Sequence, residues 1–146
     1  MAGEFALHER LAADTWPLTE SRLSLLRLMN DQQYPWLLLV PKCPDVREIH
    51  ELTEGDQHQL LNESSAIGRA LLAEFGGDKL NVAALGNQVP QLHLHHVVRF
   101  EEDPAWPGPV WGVHPPLAYD GQTLVAMKER LRPVIDCFER AGSVGV

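Results

Sequence analysis

Three histidines, His93, His95 and His96, fall within four positions of the apolar run QLHLHHVVRF at residues 91–100. Imidazole ionises near neutrality, so such a cluster can supply a nucleophile, a proton donor or a metal ligand at physiological pH. In an extended strand alternate side chains share a face. That places Gln91, His93, His95, Val97 and Arg99 on one side as a polar row. Leu92, Leu94, His96, Val98 and Phe100 fall on the other side, the one expected to meet the core, with His96 as its misfit. His93 and His95 then stand roughly 6.5–7 Å apart along the strand, close enough for one ligand atom to touch both.

Three readings fit that pattern. The first is a solvated polar face, with His96 buried and hydrogen-bonded to a partner. The second is a zinc site, since two histidines at alternate strand positions can share the ion. Its third ligand would have to come from His114, His58 or His50, none of which has a diagnostic spacing. The third is nucleophilic and acid–base catalysis by His93 and His95.

The histidine strand needs elements to hold it. FALHERLAADT, at the N-terminal end, reads as one short helix with Phe5, Leu7 and Leu11 apolar. Residues 22–30 read as a strand or a short buried segment, and YPWLLLVP (34–41) as a strand bounded by Pro35 and Pro41. Thr53 is an N-cap, with Glu54 and Asp56 in the first turn of a helix that runs to Phe75. Leu60, Ile67, Leu71 and Phe75 repeat at about helical spacing, and Gly76-Gly77 supply the stop. Two strands, 79–85 and 91–100, flank GNQVP, whose Gly86 and Asn87 suit a hairpin turn. The segment 101–121 carries five of the eleven prolines and two of the four tryptophans, which predicts an ordered but irregular crossing. Asp120 caps a last helix with the stripe Leu124, Met127, Leu131, Val134 and Phe138, ending near Gly142 and kinked or divided by Pro133. This order predicts an α+β fold, with antiparallel strands and helices packed on one face.

The bulk properties narrow the function. A chain of 146 residues suggests one domain over 1–146. Its 12 basic and 20 acidic residues give a formal charge of −8, and no basic tract would draw a nucleic acid against that repulsion. A small anionic ligand is still compatible, held in one pocket near Arg99 or Lys42. Cys43 and Cys137 match no metal or redox spacing and suit a reducing compartment. No stretch approaches the ~18 apolar residues of a membrane span. The default expectation is a cytoplasmic protein.

The stretch LNVAALGNQVPQLHLHHVVRF resembles the histidine triad (HIT) family of nucleotide hydrolases and transferases. That family's motif is His-φ-His-φ-His-φ-φ on a strand, with φ apolar, after a glycine-containing turn. NDQQYPWLLLVPK is similar to the family's second strand, and the 54–75 helix stands where the family has its main helix. The likeness covers about residues 20–100, leaving 101–146 as a C-terminal extension.

The resemblance implies a chemistry and a set of roles. His93 would attack the α-phosphate of a dinucleoside polyphosphate or nucleoside phosphoramidate, forming a nucleotidyl-imidazole that water resolves. The Gln91 carbonyl would accept the proton on its Nδ1. His95 would contact the phosphate oxygens and assist the leaving group as the acid. Asn87 and Gln88 would hold the phosphate, Asn30 or Asp31 the ribose, and Asn81 would lie beside the nucleotide. Read as plain structure, Asn87 is a turn former, and Asn81 and Asn30 are strand-edge residues. The resemblance further implies no required cofactor or metal, a small-molecule nucleotide as partner and a homodimer. The sequence departs from the pattern at Gln91, which replaces the first triad histidine and cannot carry a proton. A further family histidine after the Val-Pro strand is also missing, with Cys43, Pro44 and Asp45 in that region. These departures support an alternative, a nucleotide-binding module with weak or no catalysis.

Overall fold

The protein, as a computed structural model, is described over residues 3–143. In chain order it forms α1 (Glu9–Asp14), β1 (Thr15–Glu20), β2 (Ser24–Met29) and β3 (Trp36–Pro41), then a 3-10 turn at Ile49–Glu51. There follow α2 (Glu54–Phe75), β4 (Lys79–Ala83), β5 (Leu94–Arg99), α3 (Gly121–Arg130) and α4 (Arg132–Ser143). The strands make one sheet in the order β1-β2-β3-β5-β4, antiparallel at every step. This is the α+β architecture expected from the sequence.

β3 and β5 are buried along their whole length. Leu37 and Leu39 point into a core completed by Leu60, Ile67 and Leu71 of α2 and by Val134 and Phe138 of α4. Trp36, Leu38 and Val40 point the other way, into a second cluster with Leu11, Tyr34, Val89, Val97 and Val110. The centre of the sheet is therefore covered on both faces, which explains why WLLLVP is apolar without alternation. Burying a leucine or valine side chain contributes about 1.5–3 kcal/mol, so β3 anchors both layers.

α2 begins and ends where its signals lie. Thr53 Oγ1 accepts the Asp56 N–H at 3.2 Å, and Gly76 takes the left-handed φ of 65° that closes the helix. The last helix is divided, not merely bent. Pro133 has no N–H and its ring crowds the preceding turn, so α3 stops before Leu131 and α4 restarts at Arg132.

Four sequence expectations need correction. No element is expected from the sequence over residues 16–21, where most of β1 lies; its Pro17 is tolerated on this edge, where the register shifts between Pro17 and Thr19. The N-terminal helix is shorter than FALHERLAADT, since only Glu9–Asp14 is helical. The link between β4 and β5 is a loop over 84–93, so Gln91 and His93 precede the strand and only Leu94–Arg99 pair within it. The face bearing His95, Val97 and Arg99 is not a solvated row, because the second cluster covers it. Among the described residues, no helix is long and apolar enough to cross a membrane.

Candidate active site

The 84–93 loop and the start of β5 bring His93 and His95 to the wall of a cleft with two adjoining lobes. The inner lobe, about 410 Å³, is lined by Gly86, Asn87, Gln88, Val89, His93 and His95. The outer lobe, about 500 Å³, is lined by Asn30, Asp31, Val110, His114, Pro116 and Ala118. Arg10, Asp14, Met29, Trp36, Trp111 and Gly112 border both. These volumes suit a small organic ligand. Gly86, at φ 79°, turns the loop so that Asn87 and Gln88 stand exposed at the inner lobe.

The two cleft imidazoles have opposite tautomers, set by their neighbours. His93 Nδ1 lies 2.7 Å from the Gln91 carbonyl, which can only accept, so this nitrogen carries the proton and Nε2 holds a lone pair. His95 Nδ1 lies 3.0 Å from the Trp36 indole N–H, which can only donate. In neutral His95 the proton therefore sits on Nε2. The rings meet edge to face with centroids 4.9 Å apart, placing a free nucleophilic nitrogen beside a free N–H donor. Trp111 closes the group, with its ring 5.0 Å from that of His95 and 5.7 Å from that of Trp36.

Burial keeps both rings neutral. It lowers His93, against a partial upward pull from the Gln91 carbonyl, and the nearby His8 adds to the lowering. It lowers His95 to about 3, helped by charge repulsion from His93 and His96. His95 thus differs from the sequence expectation of an acid. At neutral pH it is a neutral hydrogen-bond donor, and an anionic phosphate beside it would favour the charged form.

His96 faces away from the cleft. It is fully buried between the sheet and α2, with Ser64 Oγ 2.7 Å from its Nε2 and the Leu94 carbonyl 3.2 Å from its Nδ1. The zinc reading lacks a third ligand, because among the described residues no three His, Cys, Asp or Glu side chains converge as an ion would require.

The other sequence-derived residues divide. Asn30 and Asp31 line the outer lobe while fastening the segment that closes it. Asn30 Oδ1 accepts the Tyr119 N–H at 2.9 Å, and Asp31 Oδ1 accepts from Gln33 and from the Leu117 N–H at 3.3 Å. Asn81 lies outside the cleft lining, and its Oδ1 accepts from Arg99 Nη1 at 2.8 Å. Arg99 is unavailable to a ligand, since its Nε and Nη2 donate to Asp103 at 2.8 and 3.0 Å in a buried pair. Burial tends to raise Asp103, but hydrogen bonds from Arg99 and from the Phe100 and Ala105 N–H groups hold it at about 2. Lys42 is likewise paired, with Glu20 at 2.6 Å. Sequence reasoning missed the places of Trp36, Trp111 and Arg10 on the cleft wall, where segments far apart in the chain meet.

The HIT domain model matches residues 12–102, which contain the sheet, α2 and both cleft histidines. The chain belongs to the histidine triad family. Three solved HIT structures are similar over nearly their whole length. A histidine triad protein from Marinobacter aquaeolei is 56% identical, with TM-score 0.90, covering 92% of this chain and 98% of that one. One from Bradyrhizobium japonicum is 47% identical, with TM-score 0.87 and coverage of 91% and 99%. One from Sinorhizobium meliloti is 40% identical, with TM-score 0.85 and coverage of 90% and 96%. Among proteins of curated function, none matches the chain. HIT proteins are in general nucleotide-binding hydrolases and transferases, which is the activity class membership suggests for this chain.

Proposed function

We propose that the protein is a phosphohydrolase or nucleotidyl transferase acting at the α-phosphate of a nucleoside phosphate derivative. The substrate is of dinucleoside polyphosphate or phosphoramidate type, and the reaction passes through a covalent nucleotidyl-His93. One observation carries this reading: His93 Nδ1 is committed to the Gln91 carbonyl, which leaves Nε2 as a lone pair beside the His95 Nε2–H. His93 Nε2 attacks phosphorus, the P–N bond forms, and the leaving group departs with the electron pair of the bond it breaks. A polyphosphate leaves as an anion, whereas an amine leaves with a proton drawn from solvent water, and the water that later attacks phosphorus gives its own proton back to solvent. Water then attacks phosphorus, the P–N bond breaks and His93 is regenerated with its lone pair. His95 donates to a phosphate oxygen, where charge develops, together with the amides of Asn87 and Gln88. Gln91 serves through its main-chain carbonyl, which any residue there would supply.

The outer lobe suits the nucleoside. Met29, Val110, Trp111 and Pro116 give it apolar surface. Asp31, with Oδ1 committed, offers its second oxygen to the ribose hydroxyls. The mechanism as written uses no metal or cofactor. The same reading makes the protein a cytoplasmic homodimer, with β4 available at the sheet edge and Val82 exposed on it.

The test is single-turnover reaction with a nucleoside phosphoramidate and a dinucleoside polyphosphate, followed by an alkaline quench, in which the P–N bond of a nucleotidyl-histidine survives, and mass analysis of the protein. A nucleoside monophosphate adduct on His93, absent from His93→Ala, is expected together with loss of turnover. The binding-module alternative, motivated by Gln91, predicts calorimetric binding of a nucleoside monophosphate with no adduct and no turnover. Undiminished turnover in His93→Ala would remove His93 as nucleophile.

A further inference from the structure

The chain's N-terminal arm reaches the cleft through Gln91. The Gln91 Oε1 accepts the His8 N–H at 2.9 Å, and its Nε2 donates to the Ala6 carbonyl at 2.9 Å. One side-chain amide thus binds a backbone donor and a backbone acceptor, as an adjoining strand would. Phe5 and Leu7 pack on the second core cluster and Leu11 is buried in it, so the arm is seated on both sides of the latch. His8 then caps α1, its Nδ1 accepting the Arg10 N–H at 3.0 Å. The result brings Arg10 to the border of both lobes.

Arg10 is the one lysine or arginine among the described residues lining either lobe. On the same face of the sheet Arg99 is committed to Asp103 and Arg27 to Thr15, while Arg47 lines a separate small pocket beside His93. Among the described residues the Arg10 guanidinium has only an exposed pair with Asp14 four residues on, at 3.6 Å, which binds it weakly and is readily exchanged. The surroundings otherwise oppose a polyanion. Asp14 and Asp31 border the cleft, the histidines are neutral and the chain carries −8. Within the two lobes this guanidinium is therefore the cation that phosphates beyond the first can meet, and it can grip them with two N–H groups at once.

We propose that Arg10 is a specificity residue. It binds the phosphates beyond the α-phosphate and selects substrates whose leaving group is a di- or polyphosphate over those that release an uncharged amine. The selectivity rests on the nucleotide reading above, but the anion site is tested without it. Calorimetry of the intact protein with inorganic tripolyphosphate should show binding. Arg10→Ala should weaken it by about tenfold or more, as expected for loss of a charge-assisted contact. Arg22→Ala removes the same charge from a pair with Asp56 outside the cleft and should leave the affinity unchanged.

In turnover, Arg10→Ala should lower the ratio of kcat/KM for a dinucleoside polyphosphate over that for a phosphoramidate by a similar factor. Failure of the wild type to bind tripolyphosphate, equal binding by Arg10→Ala, or an equal loss in Arg22→Ala overturns the anion site. An unchanged ratio overturns the selectivity. Arg10-dependent tripolyphosphate binding without a His93 adduct keeps the anion site and discards the covalent reading. An adduct with Arg10-independent binding does the reverse.

Discussion

At the scale of single residues, the site works by fixing where two protons sit. Trp36 and the Gln91 carbonyl each fill one ring nitrogen, so the two histidines present unlike atoms to one lobe. Trp36→Phe keeps an aromatic ring but removes the N–H, leaving His95 free to put its proton on either nitrogen. A typical hydrogen bond contributes about 0.5–1.5 kcal/mol, so kcat should fall by about tenfold with KM little changed. The matching spectroscopic result is a mixed tautomer of His95 in nitrogen-15 NMR, where the wild type shows the proton on Nε2 alone. Unchanged kcat together with an unchanged spectrum would show that Trp36 only fills space.

At the scale of elements, Gln91 has two separable parts. Its main-chain carbonyl orients His93, while its side chain latches the arm that brings Arg10 to the cleft. Gln91→Ala should therefore still form the His93 adduct. It should also raise amide hydrogen exchange over residues 6–14 and weaken tripolyphosphate as Arg10→Ala does. Loss of the adduct with no change in exchange would mean that the side chain acts on His93 and not on the arm. Sequence legibility divides along the same lines. β3, α2 and the histidine strand could be read because their signals are local: an apolar run, a threonine cap, a glycine stop. The covered second face of β5 could not, because Leu11, Val89 and Val110 come from three distant segments and carry no shared period. Arg99 looked free for a ligand for the same reason. Its burial depends on Asp103 across a turn and on Asn81 in another strand.

At the scale of the whole molecule, the two-layer burial that neutralises the histidines ties stability to pH. His95 lies under one face of the sheet and His96 under the other, lowered to about 3 and about 4 from 6.5, burial being the main cause for each. In the unfolded chain both take up a proton near pH 6.5, while in the folded protein neither does until lower pH. The unfolded state thus binds more protons between pH 6.5 and about 4, and stability rises with pH across that window. Their contribution is complete above pH 6.5 and is lost as pH falls through the folded values. For His96 alone the shift corresponds to about 3 kcal/mol at neutral pH. The expected result is a denaturant midpoint that drops steeply from pH 7 to pH 4. Ser64→Ala with His96→Leu removes the titrating ring and its hydroxyl partner together, avoiding an orphaned buried donor. That double variant should flatten the acid limb while leaving the cleft histidines in place. An acid limb as steep as the wild type's would place the sensitivity elsewhere, in the carboxylates or in His95.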